Sequence, residues 1–111
     1  MGKSNSFFNI DILILSVLKK KECYGYDIVK TITEISEGNF ILKEGTIYPT
    51  VYTLLKKGLI TEREEMVSRR VRVYYNITEK GLEYLEKQVT EFKKVMCGVN
   101  KIIEYGEIKD E

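Results

Sequence analysis

The feature that most constrains this chain is a change of apolar period partway along it. In "VRVYYNI", residues 71 to 77, Val71, Val73, Tyr75 and Ile77 alternate with Arg72, Tyr74 and Asn76. A period of two describes a half-buried strand. Before this stretch and after it, apolar residues recur at three- and four-residue steps, the period of a helix. A lone strand leaves its backbone groups unpaired. "LITEREEMV" supplies the partner strand, with "SRR" as the turn.

Helices are read on both sides of the hairpin. Asn9 can cap a first helix over roughly residues 10 to 20. Its apolar residues, Ile10, Ile12, Leu13, Ile14, Leu15, Val17 and Leu18, go most of the way round. A helix apolar on all faces is buried on all faces, so this one is expected to meet a partner chain. A second helix runs from about Tyr24 to Glu37, with Ile28, Ile32 and Ile35 on one face and Gly38 as its stop. A third lies in "LKEGTIYPTVYTLLKKGLI", residues 42 to 60, with Ile47, Val51, Leu54 and Leu55 facing inward and Gly58 at its end. Thr78 caps a long fourth helix that reaches about Tyr105 and ends at Gly106. The fold class is mainly α with a two-stranded β wing. The second and third helices form a helix-turn-helix, and the hairpin after them is the wing. Residues 1–77 form the winged helix-turn-helix, including the N-terminal helix, and 78–111 the C-terminal helix and tail.

Composition excludes more than it selects. The 111 residues are 43% hydrophobic, enough for a core, and the net charge of +1 means that any basic patch must come from arrangement. Histidine is absent, so the commonest general base and metal ligand is missing. With no glycine-rich phosphate loop either, no enzyme activity, metal or cofactor is expected. Cys23 and Cys97 read as small buried hydrophobes in a reducing cytosol. No signal peptide or membrane span is read, which points to a cytoplasmic protein. Met1-Gly2 with Ser6 fits a loose myristoylation pattern, but an arbitrary polar N-terminus is the better reading of so short a match.

On a helical wheel the third helix turns Gly45, Pro49, Tyr52 and Lys56 outward, with Thr46, Thr50 and Thr53 to one side. Glu44 is the only acid near this face. Pro49 is the only proline of the chain, and inside a helix it removes a hydrogen bond to the carbonyl four residues back. That carbonyl belongs to Gly45, which can shift freely. If Thr46 caps the helix, nothing is lost; if the helix starts near Lys43, its first turn must loosen. Either way the tip is slim and suits close approach to another surface, such as the major groove, although Pro49 read alone explains helix entry equally well. On the wing, Arg69, Arg70 and Arg72 suit phosphate, while Glu62, Glu64 and Glu65 on the neighbouring strand oppose it. On the fourth helix, Leu82, Leu85, Val89, Phe92, Met96, Val99 and Ile103 step alternately by three and four, a heptad seam for a second copy of the chain.

These residues resemble the PadR family of transcriptional regulators. "YGYDIVKTI" resembles its Gly-Tyr-Glu-Ile segment, "EGTIYPTVYTLLKKGLI" its Gly-Thr-Leu-Tyr-Pro signature, and "VYYNITEKG" its junction between wing and last helix. The resemblance covers nearly the whole chain and fits the small subfamily with one C-terminal dimerisation helix. It favours the earlier start of the third helix. It implies DNA contacts at Tyr26, Lys43, Gly45, Thr46, Tyr48, Pro49 and Tyr52 and at the wing arginines, to which the wheel adds Thr50 and Lys56. It implies a homodimeric repressor on a palindromic operator of double-stranded DNA. It also implies release by a small hydrophobic effector, whose pocket here would be lined by Phe8, Ile12, Leu15, Phe92, Met96 and Val99. Two departures weaken the wing contact: Val73 stands where the family usually has Lys or Arg, and the hairpin has no glycine. The rival reading is a dimeric winged-helix protein-interaction module without DNA binding.

Overall fold

The first helix is surrounded by the rest of its own chain. The structure is a computed structural model that describes residues 9–110. In chain order the elements are α1 (Ile10–Lys20), β1 (Cys23–Tyr24), α2 (Gly25–Ile35), α3 (Glu44–Lys56), β2 (Ile60–Val67), β3 (Arg70–Ile77) and α4 (Glu79–Glu107). Elements α2, α3, β3 and α4 all pack on α1. Ile14 and Leu15 are fully buried, with Ile12 and Leu18 nearly so. Burying each such side chain contributes about 1.5–3 kcal/mol. Leu13 and Val17 are only partly covered, so α1 keeps one apolar flank that its own chain does not seal. Asn9 stands at the N-cap position, yet its side chain makes no capping bond.

The core continues through Ile28, Val29 and Ile32 of α2 and Ile47, Val51 and Leu54 of α3. Helix α2 is shorter than the expected span of Tyr24 to Glu37. It stops at Ile35, and Glu37 rather than Gly38 takes the first left-handed position (φ 56°), with the Gly38 amide bonded to the Thr33 carbonyl at 2.9 Å. Helix α3 ends as Gly58 leads one to expect. With Gly58 at φ 74°, its amide reaches the Leu55 carbonyl and that of Leu59 the Leu54 carbonyl, each at 3.0 Å.

The sheet has three strands, in the order β1-β3-β2, all antiparallel. The two-stranded expectation missed β1, which pairs Cys23 with Tyr75 and Tyr24 with Tyr74. Two residues cannot display a period of two, so no sequence pattern announces this strand. On β3 the alternation holds where the domain lies beneath it: Tyr75 is buried and Val73 and Ile77 are half-buried, while Val71, near the tip, is exposed. Val67 pairs with Arg70, so the turn is Ser68-Arg69 alone, and Arg70 belongs to the strand. Both turn residues have positive φ (49° and 69°), the type I′ geometry that suits a twisted hairpin.

Thr78 joins three elements. Its hydroxyl oxygen accepts from the Gly81 amide at 3.0 Å, capping α4, and its hydroxyl donates to the Gly58 carbonyl at 2.8 Å. Its amide donates to the Leu59 carbonyl at 3.0 Å. Gly81 packs so closely on this segment that a methyl group there would overlap the Leu59 carbonyl oxygen. The first turns of α4 put Leu85 in the core, with Tyr84, Val89 and Phe92 packed against it. From Lys101 onward every described residue is exposed. Cys97 is exposed on this helix, against the expectation of burial, because the distal half of α4 has left its own domain behind.

Candidate nucleic-acid interface

Helix α3 begins early. Lys43 is its N-cap residue, Glu44 its first helical residue, and Pro49 lies inside it. The proline therefore removes an internal helix bond and leaves the Gly45 carbonyl without its amide partner. Gly45 is exposed, and a methyl group there would meet nothing within 4 Å. Glycine inside a helix costs about 1 kcal/mol relative to alanine. No packing among the described residues calls for it.

The outward face is as the wheel draws it. Lys43, Thr46, Pro49 and Lys56 are exposed, as are Tyr48 and Tyr52, the latter 63% accessible. Lys56 Nζ lies 5.5 Å from the centre of the Tyr52 ring. Thr50 is half-buried and borders, with Pro49 and Thr53, a shallow hollow against Asn9 and Asp11 at the start of α1. Tyr48 donates to Glu44 Oε2 at 2.7 Å; burial, and then this bond, push its phenol up. The same hydroxyl lies against Gly25, where a methyl group would overlap it. Gly25 was not among the candidate residues, although it stands in the quoted "YGYD".

The wing stands beside this face. Tyr24, Tyr26, Tyr48, Arg70 and Arg72 border one cleft between α2, α3 and β3. Tyr26 is 51% exposed, and Arg69 sits at the tip. Of the three acids that seemed to oppose the wing, Glu65 is engaged by Arg63, which also holds Glu22. Glu22 accepts two bonds from Arg63, one of 2.8 Å, and a third from Asn76 at 2.8 Å, while Glu65 accepts from Arg63 at 2.7 Å. The Arg63 and Asn76 bonds hold the Glu22 carboxyl down at about 2.

The heptad residues divide along α4. Leu85 is buried in the chain's own core, and Val89 and Phe92 lean on it. Met96 and Val99 are half-buried, Leu82 is exposed near the start, and Ile103 is exposed near the end. Ile102, Tyr105 and Ile108, outside the expected seam, are also exposed. Of the expected effector pocket, Phe8 lies outside the described residues, and Ile12 and Leu15 are already buried in the core. The described residues hold no cluster of metal-binding side chains, and no helix long and apolar enough to cross a membrane.

Known proteins resemble this arrangement throughout. Residues 14–87 match the model of the transcriptional regulator PadR-like family. The transcriptional regulator YqjI of Escherichia coli is 33% identical over 89 residues, which are 78% of this chain and 42% of that protein; the chain thus spans less than half of its length. Among solved structures, a PadR family transcription regulator from Clostridium difficile is 38% identical, with a TM-score of 0.73 over 85% of this chain and 97% of that one. Bacillus subtilis PadR in complex with operator DNA is 28% identical, with a TM-score of 0.67 over 72% of this chain and 46% of that one. On the matched residues and the shared fold together, this chain belongs to the PadR-like family of transcriptional regulators.

Proposed function

We propose that the chain binds double-stranded DNA as a homodimer and represses transcription from an operator with two similar half-sites. The observation that carries this reading is Gly45, an exposed glycine inside a helix, with none of the described residues packed against it. A surface that must come close to another backbone explains it. The side chains around it suit DNA: Thr46, Tyr52 and Lys56 can donate hydrogen bonds, Lys43 carries charge, and Pro49 is apolar and fits a thymine methyl, while the Tyr48 proton is already held by Glu44. The relative solved in complex with operator DNA supports a DNA-binding reading.

A second copy is supported by α4. Its 29 residues extend about 43 Å at the usual rise, and the distal part carries exposed Ile102, Ile103 and Tyr105. Gly98 lies on this stretch with open space around it, so a neighbouring helix can approach there. Two copies related by a two-fold axis present two α3 helices, so the half-sites should lie about one helical turn apart, or a multiple of it. A hydrophobic effector between the copies would meet Met96, Val99 and the exposed flank of Phe92, and would act only by favouring one dimer geometry over another.

The test is a salt titration of binding to duplexes retained from a random pool, with sedimentation of the free protein. A steep fall of affinity with salt, a recovered inverted repeat and a sedimenting dimer are expected. A dimer without salt-dependent DNA binding would favour the protein-interaction module instead.

A further inference from the structure

The outer face of the sheet carries a ladder of rings and guanidinium groups. Arg72 Cζ lies 4.4 Å from the centre of the Tyr24 ring, Tyr24 meets Tyr74 edge-on at 5.5 Å, and Arg63 Cζ lies 4.7 Å from the centre of the Tyr74 ring. Arg72 pairs in register with Glu65 across the strands, so an ion pair between them is the arrangement that proximity favours. It does not form. Arg63 takes Glu65 on one side and Glu22 on the other, and among the described residues Arg72 makes no ion pair. A guanidinium held over a ring by its charge is not using its N–H donors on a carboxylate. The cleft that Arg72 borders also holds Tyr26 and Tyr48 of the proposed DNA surface.

We infer that Tyr24 is a positioning residue for DNA binding: its ring holds Arg72 as a preformed phosphate clamp, while Arg63 keeps the neighbouring carboxylates away. This rests on the DNA-binding reading above and deepens it. It divides the wing arginines into two kinds. Arg72 is held before DNA arrives and loses little freedom on contact, whereas Arg69 and Arg70 have no such ring beneath them among the described contacts. The strand pairing of Tyr24 with Tyr74 is made by backbone groups, so a change of the Tyr24 ring leaves that pairing in place.

The test measures binding of a fluorescent random-sequence duplex across a range of salt by wild type, Tyr24→Leu, Tyr24→Phe, Arg72→Ala and the double variant Tyr24→Leu/Arg72→Ala. Tyr24→Leu is expected to weaken binding about two- to fivefold. It should also lower the salt slope by about 1 per wing engaged. Tyr24→Phe, which keeps the ring, should restore both. In the Arg72→Ala background, Tyr24→Leu should change nothing further, since a positioning residue has no effect without the group it positions. An unchanged slope in Tyr24→Leu, or additive losses in the double variant, with wild type still binding steeply, overturns this inference and leaves the DNA reading standing. A wild type without salt-dependent binding overturns both. Melting by circular dichroism checks that each variant is folded, and Arg72→Lys, which keeps charge but loses the planar guanidinium, should behave as Tyr24→Leu does.

Discussion

The Tyr84 hydroxyl donates to Asp11 Oδ2 across 2.6 Å and so ties α4 to the first turn of α1. Burial, and then this bond, push the Tyr84 phenol up to about 12. Among the described residues the other oxygen, Asp11 Oδ1, is buried without a partner, so Tyr84 supplies the side-chain pairing this carboxylate has there. Tyr84→Phe should therefore lower stability by about 1–2 kcal/mol. Urea unfolding measures it, and an unchanged midpoint would show that solvent replaces the bond.

Two glycines should respond oppositely to alanine. Gly81→Ala drives a methyl group into the Leu59 carbonyl and should destabilise by about 1–3 kcal/mol. Gly45→Ala meets open space and removes a helix penalty, so the protein should gain up to about 1 kcal/mol. Its DNA affinity should nonetheless fall, because the added methyl occupies the approach surface. A stabilised variant with undiminished binding would take Gly45 out of the interface.

The wing tip should trade stability for contact. Arg69 holds φ 69° with a full side chain, a conformation that costs roughly 1–2 kcal/mol outside glycine. Arg69→Gly should raise the melting temperature and weaken DNA binding at low salt. If binding is unaffected, the tip does not touch phosphate.

Acid stability should depend on Glu22. Its carboxyl is held at about 2, against an ordinary 4.5, so the folded state binds this proton less readily than the unfolded state does. The contribution is fully present above about pH 4.5 and is lost as pH falls toward 2. Glu22→Gln should flatten this acid limb. Denaturant midpoints at about pH 5 and pH 3 test it, and equal losses in both proteins would assign the limb to other groups.

Met96→Glu places a charge on the proposed seam between copies, where pairing would bury it. Sedimentation should show monomer. A dimer that persists would move the seam toward Ile102 and Tyr105, on another face of α4.

How much of this was legible in the sequence depended on distance along the chain. The helices and the β2–β3 hairpin were, because their periods repeat over many residues and Gly58 and Thr78 punctuate them locally. The early start of α3 came from resemblance, since Thr46 was an equally good cap by local chemistry. Strand β1 was hidden by its length. Glu22 and Arg63, 41 residues apart, and Asp11 and Tyr84, 73 apart, left no local mark. The same holds for Tyr24 beneath Arg72, which only the β1–β3 pairing brings together. Cys97 was misread because its residue type suggests burial but does not record whether its own domain supplies the cover.

Thr78 has a mechanical consequence. The end of α3, the root of the wing and the head of α4 are fastened to a single residue by bonds of 2.8–3.0 Å. A tilt of α4 would pull on α3 and the wing at one shared pivot. On the proposed function, the angle of the long helix would then bear on how α3 and the wing meet DNA.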